Sequence, residues 1–417
     1  MTGTHTNTKT PSTYLTAFHS LFTMRAALSI LALAWVLTIA FVGVSGEFMV
    51  NDDWSFVRAY ERLVHEGRIG STGWGPEHAP GGPALLVHLL WARPFTLVFG
   101  DSVTTLRLSV LVMGVLGSAA MWALLRSAGV SRLMSLLGAL TLIFNPFYLS
   151  LSFTFMTDVP FTAVSLWAMF FLARATATGK TQHLITGLLL CLAAILVRQL
   201  GVVVVLGFLA CCLFHTKARE LGFFRCLAWA TGLVFLPWLV YELAIAHVGG
   251  TFLTQHQAVG NIIKDFAEHS WAGYLDLLFG RILGAAVYCG ICTSPIWLMR
   301  FDQFLAKKGF RWFLAIALAA FVLVQVIIAT DWLDLPIFFW GNVIFNFGIG
   351  PILLKDTAVL KIIRTATIPA WAYYSWALVA TVGVGIIVGR TRVALLSLFG
   401  KGHGGENMSF PAALALA

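Results

Sequence analysis

Long apolar stretches separated by short polar segments run through almost the whole chain. Most of them are roughly 18–23 residues long, about what a helix needs to cross ~30 Å of hydrocarbon while bonding its own backbone groups. The pattern therefore predicts an all-α integral membrane protein that forms a single polytopic domain over residues 1–417. We place about ten transmembrane helices near residues 26–44, 103–125, 133–150, 159–176, 183–197, 200–214, 227–247, 282–300, 312–330 and 371–389.

Composition and charge distribution agree with this architecture. Hydrophobic residues make up 59% of the chain and charged residues 11%, too little polar surface for a soluble globule. A net charge of +9 would suggest nucleic-acid binding in a soluble protein, but here the bases concentrate in alternate short loops. This positive-inside pattern predicts a cytoplasmic N-terminus and no nucleic-acid partner. The loop bases are Arg126, Arg132, Arg174, Lys180, Lys217, Arg219, Arg225, Arg300, Lys307, Lys308, Arg311, Arg390, Arg392 and Lys401.

Two apolar stretches need a choice between spanning and not spanning. The stretch 83–99 contains His88 and Arg93, and if it crossed the membrane every later basic loop would change sides. We therefore predict a helix that lies at the membrane interface. The stretch 183–214 has cytoplasmic flanks on both sides, so it is predicted to go out and return, with Arg198 at the outer tip of the hairpin.

Three long segments fall on the predicted outer side, at residues 45–102, 248–281 and 331–370. The first contains an acidic motif followed by the interfacial helix. Because the connections on the other side are short, binding and catalysis are best sought in these outer loops.

Four charged residues reach the predicted outer face by independent topological arguments. Asp52 and Asp53 follow the first span, where adjacent carboxylates suit a general base or metal ligand, although a solvated turn would look the same. Asp158 is a lone acid between two predicted apolar helices, where it could be either a functional carboxylate or a helix cap. Arg198 suits phosphate oxygens, a lipid headgroup or pairing with an acid. Together they could share one pocket.

At these residues the chain resembles the GT-C glycosyltransferases. It is most similar to the bacterial branch akin to protein mannosyltransferases and lipid A aminoarabinose transferases. The segments that carry the resemblance are, in order, NDDWSFVRAYERLVHEG, HAPGGP, TTLRL, FNPFYLSLSFTFMTDVPF, ILVRQLG and GNVIFNFGIGPILL. Their order and predicted sidedness, more than any one motif, make the resemblance specific.

The resemblance implies an inverting transfer of a sugar from a polyprenyl-phosphate donor to a lipid, glycan or protein acceptor. Asp52 or Asp53 would be the general base; relatives commonly have Asp followed by Glu here, so the choice between the two aspartates stays open. Asp158 would help to position the acceptor. Arg198 would stabilise the departing phosphate. A divalent cation such as Mg²⁺ or Mn²⁺ is a further possibility, with Asp53 and Asp158 as its ligands.

Five other residues are weaker candidates for the same site. Arg58 and Lys355 could contact the donor phosphate. His78, Trp54 and Asn342 could contact the sugar or the acceptor. Each also fits ordinary loop solvation, headgroup contact or anchoring at the membrane interface.

Two other classes of function compete with an enzyme. A transporter or flippase would show charged or broken-helix features near the bilayer midplane and paired halves, whereas only Glu242 offers such a feature and we detect no internal similarity. A noncatalytic scaffold would tolerate replacement of the outer aspartates. The leading prediction is an enzyme of a bacterial cytoplasmic (inner) membrane whose active site faces outside; the sugar and the acceptor stay open.

Overall fold

The computed structural model describes residues 24–47, 53–67, 85–247, 319, 322, 344–345 and 348–349. This part of the chain is almost entirely helical. Its helices are α1 (Met24–Val42), α2 (Asp53–Glu66), α3 (Leu86–Phe99), α4 (Val103–Ser127), α5 (Arg132–Ile143), α6 (Pro146–Ser152), α7 (Asp158–Thr178), α8 (Thr181–Val197), α9 (Val202–Phe214), α10 (Thr216–Arg219), α11 (Phe223–Ala230) and α12 (Leu236–His247). A 3₁₀ turn (Gln199–Gly201) separates α8 from α9, and one π-helical turn (Thr231–Phe235) joins α11 to α12.

Four segments of the described part are long and apolar enough to cross a membrane: Met24–Val42, Val103–Ser127, Asp158–Thr178 and Phe223–Ala244. Each coincides with a predicted span, so the prediction of an all-α integral membrane protein is confirmed. The predicted spans 282–300 and 371–389 and the loop 248–281 lie outside the described residues, and 312–330 is described only at residues 319 and 322.

The predicted span 133–150 is not one straight helix but two helices, which are long and apolar enough to cross a membrane only when taken together. The axis bends by 61° between α5 and α6. Proline disfavours helix at the residue before it and suits the first turn of a new helix, and Pro146 begins α6. The side-chain oxygen of Asn145 accepts hydrogen bonds from the amides of Phe147 (3.0 Å) and Tyr148 (3.2 Å). Hydropathy does not reveal this break, because the residues on both sides of it are apolar.

The chain turns sharply at Arg198, where a hairpin tip was predicted. Gly201 packs against the backbone of Ala194 and Ile195, so that a Cβ on this glycine would lie 2.5 Å from the Ile195 nitrogen. Six residues of straight helix would separate these positions by about 9 Å. With 17 and 13 residues, α8 and α9 rise about 26 and 20 Å, so each is shorter than a full ~30 Å hydrocarbon layer.

Helix α3 covers most of the stretch that we expected to lie at the interface. Its 14 residues rise about 21 Å, too little to cross ~30 Å of hydrocarbon unaided. One side of α3 is buried and carries His88, Leu89 and Ala92. The opposite side exposes large apolar side chains, among them Leu90 and Leu97. The placement of α3 in the interface remains a prediction that this two-sided pattern supports.

Helices α4, α7 and α8 form the centre of the bundle. Met113 of α4 packs in one cluster with Ala163 of α7, and Leu124, further along α4, packs with Ala173, further along α7. The contacts advance together, so α4 and α7 run in the same direction. Close approach is possible because small residues line the contact: a Cβ on Gly117 would lie 3.1 Å from that of Ala163. The starts of α4 and α7 therefore point to the same end of the bundle.

A short antiparallel ladder departs from the all-helical pattern. Strand β1 (Ile344–Phe345) pairs with β2 (Gly348–Ile349), with Ile344 opposite Ile349 and Phe345 opposite Gly348. It lies in the predicted outer loop 331–370, the remainder of which is outside the described residues. Two residues per strand leave the fold class unchanged.

Candidate active site

Asp158 and Arg198 form an ion pair between two helix ends. The Asp158 carboxylate lies in the first turn of α7 and accepts a hydrogen bond from the Arg198 guanidinium, at the turn between α8 and α9. A carboxylate is favoured at a helix N-terminus by the aligned peptide dipoles. Both side chains are about one-third exposed, at 33% for the acid and 30% for the base. The pair is thus held by the protein and still open to a ligand.

Asp53 is the first residue of α2 and is buried. It interacts electrostatically with Arg107, a buried arginine on the second turn of α4. Arg107 also donates a hydrogen bond of 3.1 Å to the carbonyl of Gly46, in the segment that follows α1. A second acid and arginine therefore interact electrostatically near the start of α4.

Glu47 fixes the end of α1 to the start of α4. Its carboxylate accepts hydrogen bonds from the Thr104 hydroxyl (2.7 Å) and from the amides of Val103 (2.9 Å) and Thr104 (3.3 Å). These bonds, with Arg107 nearby, lower the pKa of Glu47. This is the arrangement in which an acid satisfies the open amides of a helix N-terminus. It places the segment that leads toward Asp53 beside Arg107.

Sequence reasoning missed Glu47 and Arg107. The signal was available in TTLRL, because an arginine one turn inside an apolar helix must have an acidic or carbonyl partner. Arg107 has partners of both kinds. The acids before it in the chain, Glu47 and Asp53, could therefore have been assigned as candidates for that partner.

An aromatic contact connects the two acidic segments. The ring of Phe155, three residues before Asp158, is fully buried. It stacks on His88 of α3, with ring centroids 4.2 Å apart, and meets Tyr60 of α2 edge-on at 6.5 Å. His88 Nε2 lies 3.4 Å from the Phe155 carbonyl oxygen. Burial lowers the pKa of His88 to about 4, so the imidazole is neutral near pH 7.

Tyr60 is itself held from the side of α3. Its hydroxyl hydrogen-bonds with the Thr96 hydroxyl and accepts a bond of 3.3 Å from Arg93. Arg93 lies 3.9 Å from Asp101, and both of these side chains are exposed. Helices α2 and α3 are therefore tied together next to Phe155.

The structure brings some of the predicted site residues together and leaves others undescribed. Asp158 contacts Arg198, and Asp53 interacts electrostatically with Arg107. Of the weaker candidates, Arg58 is exposed on α2 and Trp54 is half-buried. Asp52, His78, Asn342 and Lys355 lie outside the described residues.

The residues fit a divalent cation poorly in the part of the chain that the structure describes. No group of three His, Cys, Asp or Glu side chains in that part is placed to hold a metal ion. Of the two predicted ligands, Asp158 is paired with Arg198 and Asp53 interacts electrostatically with Arg107. We therefore derive no step through a metal ion.

The fold and these contacts define a class: a polytopic helical membrane protein with two acid and arginine pairs at one end of its bundle. Residues 82–241 match the sequence family described as dolichyl-phosphate-mannose-protein mannosyltransferase. Over those residues the match agrees with the mannosyltransferase part of the resemblance that the motifs indicated. The matched region contains Arg107, Asp158 and Arg198, whereas Asp53 lies before it.

Two solved structures are similar to this chain in overall fold. One is the archaeal oligosaccharyltransferase AglB from Archaeoglobus fulgidus, in complex with an inhibitory peptide and a dolichol-phosphate, at 13% identity and a TM-score of 0.38 over 94% of this chain and 53% of AglB. The other is ArnT from Cupriavidus metallidurans in the apo state, at 12% identity and a TM-score of 0.43 over 97% of this chain and 77% of ArnT. The chain thus spans about half of AglB. A search of curated proteins found no match.

Proposed function

We propose that the protein is a membrane glycosyltransferase that moves a sugar from a polyprenyl-phosphate donor to an acceptor on the extracytoplasmic face, with inversion at the anomeric carbon. The observation that carries the proposal is the Asp158 and Arg198 pair, partly exposed at the meeting point of α7 and α8, inside the region that matches the mannosyltransferase family. An acid beside a guanidinium supplies the two kinds of group that such a transfer needs.

The proposed reaction is a single displacement. The acceptor oxygen forms a bond to the anomeric carbon while the bond from that carbon to the donor phosphate oxygen breaks. The acceptor proton passes to a carboxylate, for which Asp53 or the neighbouring Asp52 is the candidate. The leaving group is the polyprenyl phosphate anion, whose new charge Arg198 stabilises.

Arg198 can bind phosphate without giving up its place in the structure. Only one of its terminal nitrogens, Nη1, donates to Asp158. A guanidinium has five N–H donors in a planar fork, so other donors stay available to phosphate oxygens. Asp158 would then orient the guanidinium and lie within reach of the acceptor.

The remaining candidates have supporting roles in this proposal. Arg58, exposed on α2, and Lys355 would attract the donor phosphate. Trp54, His78 and Asn342 would contact the sugar or acceptor. In this proposal Arg198 supplies positive charge where the phosphate leaves, and no step is assigned to a divalent cation.

The transporter hypothesis gains no support from Glu242. This acid is buried but lies within three residues of the end of the segment Phe223–Ala244, away from its middle. Trp238, one turn earlier, donates a hydrogen bond of 2.9 Å to it. One of its carboxylate oxygens is therefore bonded within its own helix, while within the described residues the other has no hydrogen-bond partner, and one such acid does not define a transport path at the midplane.

The experiment that tests the proposal is transfer in vitro from a panel of radiolabelled polyprenyl-phosphate sugars to membrane acceptors. The purified protein would be compared with Asp53→Asn, Asp158→Asn and Arg198→Gln. Glu61→Gln, which removes an exposed acid from the same helix as Asp53, is the matched control. We expect transfer from one donor, lost in the three site variants and kept in the control. Absence of transfer from every donor, or undiminished transfer in all three variants, would refute the proposal.

A further inference from the structure

His88 is a fully buried polar residue to which the proposed reaction gives no role. It lies on the buried side of α3 among apolar neighbours such as Leu89 and Ala92. Burying an imidazole costs free energy unless its nitrogens find partners. Within the described residues, Nδ1 has no hydrogen-bond partner, whereas Nε2 lies 3.4 Å from the carbonyl oxygen of Phe155. The tautomer with hydrogen on Nε2 fits this arrangement, because that nitrogen then donates to the carbonyl.

His88 contacts a short non-helical segment, Phe153–Thr157, which lies between α6 and α7. Most of this segment is buried; Phe155 and Thr157 are fully so, and Asp158 follows directly. Irregular backbone in the interior lacks the regular bonds of a helix and depends on side chains to fix it. His88 does this in two ways, by its bond to the Phe155 carbonyl and by stacking on the Phe155 ring.

The other side of Phe155 is contacted by the helix that carries Asp53. Along α2 the buried residues Asp53, Phe56, Val57 and Tyr60 follow the spacing of one helix face. Tyr60 meets the Phe155 ring edge-on. Phe155 is therefore held between α2 and α3, and a shift of its ring would change the relation between the two acidic segments.

We propose that His88 is a positioning residue: by donating to the Phe155 carbonyl and stacking on its ring, it fixes the segment Phe153–Thr157 and so the place of the Asp158 carboxylate beside Arg198. The inference rests on the proposed function in that Asp158 is taken as a site residue. It differs from simple core filling, because the N–H of His88 matters in addition to its volume.

Two variants separate the N–H of His88 from its ring. His88→Gln keeps an N–H donor near the position of Nε2 and removes the ring, and His88→Phe keeps a ring and removes the donor. His65→Gln, at the exposed end of α2, is the matched control. Amide hydrogen exchange in the purified full-length protein in lipid nanodiscs would report the segment 153–157 directly, whether or not a substrate is known.

We expect exchange in 153–157 to be a few-fold to about tenfold faster in His88→Phe, within about twofold of wild type in His88→Gln, and unchanged in His65→Gln. Exchange in α8 should stay constant in all three. Equal exchange in the two His88 variants, or faster exchange spread over the whole bundle, would show that His88 only fills the core.

Transfer kinetics give the second readout. We expect kcat to fall about tenfold in His88→Phe with little change in the KM of the donor, and to be largely retained in His88→Gln. A fall in both variants alike would count against the role of the N–H. If wild type transfers no sugar while the exchange pattern holds, the proposed function fails and the structural role of His88 stands.

Discussion

The two acid and arginine pairs differ in how far water can reach them. Asp158 and Arg198 are each about one-third exposed and join ends of different helices. Asp53 and Arg107 are buried, and Arg107 is further tied to Gly46. The same chemical types are therefore placed in two environments within one end of the bundle.

The difference separates a pair that a ligand can reach from the surface from one that is shielded from water. A partly exposed ion pair contributes about 0–1 kcal/mol, because water competes for both charges. Breaking a buried pair leaves an uncompensated charge in the interior and costs about 3–5 kcal/mol. We infer that Asp158 and Arg198 meet the donor, whereas Arg107 holds in place the segment that carries Asp53, a candidate base.

The largest expected effect is on stability, from Arg107→Gln. This change leaves Asp53 buried without its arginine and removes the bond to Gly46, so we expect a loss of about 3 kcal/mol or more. Thermal unfolding in nanodiscs measures it, with the exposed Arg25→Gln as the control. The double variant Asp53→Asn with Arg107→Gln should recover part of the loss. Unchanged unfolding of the single variant would show that the two pairs do not differ as described.

At Arg198 we expect the opposite, a large effect on activity and a small effect on stability. Arg198→Gln should lower kcat about 100-fold, as the loss of one charge-stabilising group does in other enzymes, and should lower stability by less than about 1 kcal/mol. Arg198→Lys keeps the charge but loses the planar fork, so intermediate activity is expected. Lys180→Gln, exposed at the start of α8, serves as the control. Loss of stability equal to that of Arg107→Gln would remove the distinction between the pairs.

At His88 we expect an effect on stability that depends on pH. Its pKa is about 4 in the fold and 6.5 ordinarily, so the unfolded chain binds the proton more tightly. The stability due to neutral His88 is therefore complete above about pH 6.5 and is lost as the pH falls toward 4. We expect wild type to lose roughly 2 kcal/mol between about pH 7.5 and about pH 4.5 through this group. His88→Phe should lack this part of the pH dependence. Parallel pH profiles for the two proteins would contradict the assignment.

Hydropathy and charge predicted the helices well because the bilayer imposes a length and a side on each apolar stretch. The start of α7 was predicted within one residue, at Asp158. The bend between α5 and α6 was missed because Asn145 and Pro146 act through backbone geometry, which hydropathy does not contain.

The candidate site was predictable only where a charge interrupts an apolar stretch. Asp158 and Arg198 each do so, and topology alone placed them on one side. Their direct pairing depends on the turn at Gly201, a three-dimensional feature. His88 was used in the sequence only as an argument against a span, since stacking on a residue 67 positions away leaves no local pattern.

The smallest expected effect is at Glu47, an exposed acid that lies near Arg107 of the buried pair. Glu47→Gln keeps only one of the two oxygens that accept from α4 and removes the charge that favours the helix N-terminus, so we expect a loss of about 0.5–1 kcal/mol near pH 7, limited by solvent screening. Because its pKa is lowered in the fold, this stability is present above the ordinary pKa of 4.5 and disappears as the pH falls through the folded value. Thermal unfolding of wild type and variant should therefore differ near pH 7 and converge in acid. A loss as large as that of Arg107→Gln would mean that Glu47, and not Arg107, is the main support of the Asp53 segment.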